Sequence, residues 1–436
     1  AEVTGILTAT SFKGDGSQLS GIDALPSVSG TASGAITANR AAMIKTDGQY
    51  EQVTGVNQAV ASNRAFFDPY SVIAGAYNPD LSNFAVLYQD SANSNHTTSV
   101  VGSISGTTIT WGTPQVVRAE NAGRDTQAMT YDPTYDRYVG VICQPSNSYK
   151  PRIALGTASG TSISWDDTIG TPNFTNNSFC DWMDSCYNTK NNRHGLIFCN
   201  SSGQAVASEY TVTTNSVTVV GSDYAWSNNG YAHTRICWDS TNGCYLTAAT
   251  KTNNSNYGNV RVMNPGQFSS PPGSQWDVGV YKKIYGLEHD PNAGQTCLLY
   301  WNTSNGHVFL QSTTSVNTSN GVITSGTEVQ VNSGNPDGGT FKGAGMTYDP
   351  NAKKFVITYC YGSGGTGGTW VRTALVTSAG VITLDDIIAI NTGGVYADDT
   401  SYRIANVYDS SSNKVAAVYQ DSANMIGNGG EAGMVK

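Results

Sequence analysis

Charge is scarce in this chain of 436 residues: Asp, Glu, Lys and Arg together make up 13%. The net charge of −9 comes without any cluster of Lys and Arg, which argues against nucleic acid or an anionic membrane surface as partner. No apolar run approaches the ~18 residues a membrane helix needs. Histidine is rarer still, at five, and none of the eight cysteines stands in a CxxC pair, so no metal site and no cofactor are expected. Also missing are a G-x-S-x-G elbow, HExxH, a P-loop, a dinucleotide fingerprint and a complete Asp box; Ser162-Ile163-Ser164-Trp165 matches only the end of the last. Gly14-Asp15-Gly16-Ser17 lacks the ladder of carboxylates that a calcium loop requires. No catalytic residue is therefore assigned, and the chain is expected not to be an enzyme.

What is abundant is Gly, Ser, Thr, Asn and 24 Tyr, a composition that suits short strands and polar turns. Met346 to Tyr359 shows the unit: a strand, a turn on Asp349-Pro350-Asn351, and a second strand of β-branched and aromatic residues. The same hairpin recurs on the anchors Asn78, Asp132, Asn188, Asp239, Asp290, Asp349 and Asp409, spaced by 54, 56, 51, 51, 59 and 60 residues. Each anchor follows an aromatic residue or His: Tyr77, Tyr131, Tyr187, Trp238, His289, Tyr348 and Tyr408. Where room remains a second hairpin follows, as at Thr98–Ile104 and Thr107–Trp111. Four strands per repeat of this length indicate an all-β, seven-bladed β-propeller. A sandwich array would repeat at about twice the length, and a β-helix at less than half of it. An Asx side chain that recurs once per blade reads as a turn cap rather than as an acid for chemistry.

The last repeat runs out of strands before Lys436. The hairpin at 40–53, with Asp47-Gly48 at its turn, is expected to supply the missing one, so residues 34–57 close the ring within a propeller domain of 34–436. The paired acids Asp166-Asp167 and Asp385-Asp386 fall at outer strands, and Asp398-Asp399 in a loop between blades. Those loops combine aromatic and amide groups, so Phe174, Asn176, Tyr224, Trp226, Tyr231, Tyr396, Asp398 and Asp399 are candidate contacts for a surface glycan. Cys180 with Cys186, and Cys237 with Cys244, are candidate local disulfides, which would imply an oxidising compartment; Cys143 and Cys199 read as buried thiols.

Residues 1–33 differ from the rest. Val3, Ile6, Leu7 and Phe12 stand on a Thr/Gly background, and Leu19 and Ile22 recur in a turn-rich stretch. The run LTATSFKGDGSQLSGI resembles the GDGS-L-x-G-I repeat of tail-fibre proteins from marine and cyanobacterial phages, and of some bacterial surface proteins. The resemblance covers about the first 25 residues. It implies an extended, fibre-like oligomerisation segment using Val3, Ile6, Leu7, Phe12, Leu19 and Ile22, an extracellular or virion-surface location, and other copies of the chain as partners. On that reading the protein is a non-enzymatic structural and receptor-binding element. Two alternatives stay open: a secreted filament subunit that donates its N-terminal strand head to tail, and a propeller-type glycoside hydrolase or lyase with its site in the funnel.

Overall fold

The computed structural model describes residues 74–90, 93–106, 108–121, 127–144, 150–169, 174, 180–226, 230–333, 340–363, 366–391, 402–420 and 430–435, together with the strands at 42–44, 50–52 and 58–59. Every described strand or helix assignment of any length is a strand. The chain divides into a unit of residues 1–55 and a unit of residues 56–436.

The larger unit is a β-propeller. Six blades are complete, each drawn from one continuous run: 74–121, 127–166, 181–225, 231–279, 282–330 and 340–391. Within each, successive strands pair antiparallel from the inside outward. The expected count of seven such blades is corrected to six. The strands after Ile404 do not make another of the same kind. Ala405–Asp409 and Lys414–Gln420 form a sheet with Gly430–Val435, whose far edge pairs with Gln58–Ala59. This composite sheet, drawn from two distant parts of the chain, lies between blade six and blade one and completes the circuit of inner strands. The closing strand is also corrected. The hairpin Ala42–Ile44 with Tyr50–Gln52 pairs with itself, in the smaller unit, and the strand that joins the sheet is Gln58–Ala59, just beyond 34–57.

Middle strands are covered on both faces by neighbouring sheets, which is why Phe84-Ala85-Val86-Leu87-Tyr88 is an unbroken apolar run. Outer strands such as Thr108–Trp111 and Ser162–Asp166 alternate, with one face in water. The core is thus a series of layers between blades. Between blades five and six, for example, Tyr285, Leu299, Phe341, Tyr359 and Tyr361 pack as one cluster.

All seven anchors cap their own turns. Asp349 Oδ1 accepts the N–H groups of Asn351 and Ala352, both at 2.9 Å, and Asn78, Asp132, Asn188, Asp239, Asp290 and Asp409 repeat the arrangement. The residue before the anchor has a different job: it reaches back to the turn of the preceding sheet. Tyr131 Oη donates to Asp80, Tyr187 Oη meets Thr134, His289 meets Thr241, and Asn292 donates to Tyr348 Oη at 2.7 Å. Tyr77 accepts from Ser411 N and so ties blade one to the composite sheet. Replacing Asp349 by Ala should cost about 1–2 kcal/mol in urea unfolding, and Asp349→Asn much less. Asn already fills this place at 78 and 188, so equal losses in the two variants would refute the capping role.

The proposed local disulfides are corrected. All eight cysteines are free thiols in this structure. Cys180 and Cys186 are separated by six residues along one extended segment, roughly 20 Å at ~3.3 Å per residue, far beyond the span of a disulfide. Cys237 pairs across the ladder with Leu246, and Cys244 with Asp239, so those two thiols are not opposite one another.

Candidate functional site: a charged cavity on the propeller axis

The inner strands of all six blades and the composite sheet enclose a cavity of about 150 Å³. Most of its wall is small or apolar. The polar exceptions are Asp184 and Ser185 from blade three, Arg235 from blade four, Glu288 from blade five and Asn406 from the composite sheet. A volume near 150 Å³ holds one small molecule of roughly six to ten heavy atoms.

β-Bulges bring the charged groups there. The pairing of blade three's inner strand shifts between Asp181 and Asp184, and that of blade four between Ala232 and Arg235. Trp182 (φ 52°) and His233 (φ 51°) take left-handed conformations within these bulges, which is costly for side chains of this size. Their rings lie 4.0 Å apart, and His233 is followed around the ring by Tyr285 at 5.4 Å. A bulge leaves backbone groups without ladder partners, and the charged side chains meet that need. Asp184 Oδ2 accepts the N–H of Ile236 at 3.0 Å, linking blades three and four. Arg235 Nε donates to the carbonyl of Tyr285 at 2.7 Å, linking blades four and five, and its Nη1 donates to the carbonyl of Thr234 at 2.6 Å. Arg235 is 5% exposed.

Glu288 differs from these two. It lines the cavity and is half-buried there. No described residue donates a hydrogen bond to it. Burial, and then the negative charge of Asp184, push it up to about 8 from the usual 4.5. At neutral pH Glu288 is therefore mostly a protonated acid. Ser185 and Asn406 also line the cavity, and their Oγ and Oδ1 atoms are buried without a hydrogen-bond partner among the described residues. A carboxyl whose proton is held near neutral pH, at the wall of a cavity, is the kind of group that general acid–base chemistry uses.

The described residues among those expected from the loops lie away from the cavity. Phe174 is buried in the layer between blades two and three, edge-on to Phe198 and Tyr210. Trp226 is fully buried, edge-on to the buried Tyr231 at 5.0 Å, and the Arg261 guanidinium lies 5.1 Å from its ring centre. These three rings are taken up by protein. Tyr224 is half-buried beside Arg261. Asn176, Tyr396, Asp398 and Asp399, and the oligomerisation residues Val3, Ile6, Leu7, Phe12, Leu19 and Ile22, lie outside the described residues. The outer acids are structural: Asp167 holds Arg118 at 2.5 Å, and Asp385 holds Lys354 at 2.6 Å.

The sequence does carry a signal for the cavity, visible once the repeats are aligned on their anchors. Four residues before the anchor stand Ala74, Ala128, Gly286, Gly345 and Ala405, but Asp184 and Arg235 in two successive blades. Two residues before it stand Ala76, Thr130, Cys186, Cys237, Thr347 and Val407, and one acid, Glu288. Charge at positions otherwise small or uncharged marks the axis.

No protein-family model matches the chain, and no curated protein does. Solved structures do. The chain is similar to Sqt1 of Chaetomium thermophilum at 11% identity, with 87% of this chain and 97% of that one covered and a TM-score of 0.50. It is also similar to the periplasmic gluconolactonase of Pseudomonas aeruginosa (9% identity, 74% and 86% covered, TM-score 0.45) and to a prolyl endopeptidase (10% identity, 79% and 46% covered, TM-score 0.40). This chain thus spans under half the length of the endopeptidase. None of these matches supports the likeness of residues 1–25 to phage tail fibres. The expectation of a non-enzyme is corrected to an open question: the solved structures similar to this chain include enzymes, a gluconolactonase and a prolyl endopeptidase, and the likeness is one of fold alone. That expectation rested on the lack of a linear motif, whereas Asp184, Arg235 and Glu288 come together from three separate blades. At such low identities the likeness establishes one thing, that the chain is an all-β β-propeller.

Proposed function

We propose that the protein binds a small hydroxylated molecule, such as one sugar unit of pentose size, in the axial cavity and exchanges a proton with it through Glu288. The reaction class is general acid–base hydrolysis or elimination on a glycan end. The observation that carries this reading is Glu288 itself: a carboxyl that lines the cavity and is pushed up to about 8 by burial and by the negative charge of Asp184. Asp184 and Arg235 supply orientation, since both are held by backbone groups of the next blade.

The setting proposed for this chemistry is the cell or virion surface, where the N-terminal segment would join copies of the chain. Its support is the GDGS-type run at residues 14–22. Electron microscopy of the whole chain and of a variant without residues 1–33 tests that part; persistent assembly in the variant would count against it.

For the cavity, the test is a panel of mono- and oligosaccharides followed by NMR titration and product analysis. Wild-type protein should bind at least one member, and Glu288→Gln should weaken binding or slow product formation at least tenfold, because the amide cannot give up its proton. Equal binding and turnover in the two proteins would rule Glu288 out.

A further inference from the structure

Two thiols that sequence spacing did not pair are brought together between blades. Cys143 lies near the end of the second strand of blade two, Arg137–Gln144, and Cys180 immediately precedes the inner strand of blade three, Asp181–Asn188. Both are buried, 2% and 0% exposed, in the cluster that fills the layer between these blades with Val141, Met183, Leu196 and Phe198. Within that cluster Cys143 is the residue that, after burial itself, acts most strongly on the Cys180 thiol. They stand 37 residues apart in sequence, so a bond between them would fasten two blades and restrict a long stretch of the unfolded chain.

We propose that Cys143 and Cys180 are an oxidative modification site, which a small-molecule disulfide converts to an inter-blade disulfide as the chain folds. One thiol loses its proton and attacks the oxidant, glutathione disulfide for instance, giving a mixed disulfide and releasing one glutathione thiolate. The second then attacks the protein sulfur of that mixed disulfide and releases the other glutathione. The two cysteines are oxidised by two electrons, and the two protons end on the two glutathione thiols. The timing follows from burial. In the folded protein burial, and then Cys143, push the Cys180 thiol well above its ordinary range, so thiolate is scarce and no oxidant reaches it. Once closed, the bond is sheltered from reductants by the same packing.

The experiment is refolding of the whole chain in a glutathione redox buffer, then alkylation without reduction and peptide mapping. The expected result is a linked peptide joining Cys143 to Cys180, and a melting temperature several degrees above that of the same protein kept in dithiothreitol. In Cys143→Ala, Cys180 should be alkylated and the dithiothreitol difference should vanish. Should that variant fail to fold, the wild-type map decides alone. Recovery of both residues fully alkylated from refolded wild-type protein, or Cys180 linked to any other cysteine, overturns the assignment.

Discussion

Glu288→Gln should be more stable than wild-type protein at pH 9 and should lack most of the loss of stability that wild type shows between pH 5 and pH 8. The carboxyl is held at about 8 in the folded protein, against 4.5 in the unfolded chain. Between those values the folded state carries one proton more than the unfolded one. Stability from this group is therefore fully present below about 4.5, declines as pH rises, and is gone once pH passes 8. The shift corresponds to about 2–5 kcal/mol, the lower figure allowing for relaxation of the cavity around the charge. Gln has the shape of the protonated acid and no charge to bury, so its curve should stay nearly flat across the window. His194 gives the opposite limb. It is enclosed against Asp132 and Tyr210, and burial lowers its affinity for a proton despite the Asp132 carboxylate 3.1 Å away. The unfolded chain then binds the extra proton, so this contribution is present above about 6.5 and is lost as pH falls. Urea unfolding of both proteins at intervals from pH 5 to pH 9 measures the difference directly. Parallel curves would show that Glu288 ionises as a solvated acid, and would remove the basis for its proposed role. Asp184→Asn should bring Glu288 down only in part, since burial is the larger cause.

The anchors are legible in the sequence because their cause is local: an Asx oxygen two or three residues from the N–H groups it accepts. The aromatic residue before each anchor was visible too, but not its purpose, because the turn it reaches belongs to the preceding sheet, some 50 residues away in the case of Tyr131 and Asp80. The blade count failed at Asp409. Its hairpin has the local form of all the others, and only the pairing of Gly430–Val435 with Gln58–Ala59 distinguishes a composite sheet from a self-contained blade. The burial of the loop aromatics has a similar, long-range cause. Trp226 and Tyr231 stand in polar surroundings in the sequence, yet the layer between blades needs large apolar faces there and takes them in. Charge at otherwise small positions before the anchor was the one sign of the cavity, and it is readable only with the repeats in register.

The tightest point of the ring yields the second large effect: Gly345→Ala should lower stability by about 3 kcal/mol and the melting temperature by about 4 °C. Gly345 lies on the inner strand of blade six, where that strand meets the segment leading into the composite sheet. Gly343 pairs with Tyr402 and Ala344 with Arg403 in parallel register just before it. A Cβ on residue 345 would stand 2.2 Å from the carbonyl oxygen of Ile404 and 3.0 Å from its carbon. The obstacle is backbone, so no rotamer change relieves it, and Ile404 is itself buried against Val356, Cys360 and Val371. The two strands must separate by roughly an ångström, at the seam between the last complete blade and the composite sheet. Gly106→Ala is the control: its φ of 57° is unfavourable for Ala, but nothing lies within 4 Å, so it should cost about 1 kcal/mol through backbone strain alone. Thermal unfolding of the two variants side by side separates crowding from strain. If Gly345→Ala melts with or above Gly106→Ala, the seam is looser than the close approach of Gly345 to Ile404 requires, and the cavity beside it, which both residues line, would have room for a larger molecule than one sugar unit.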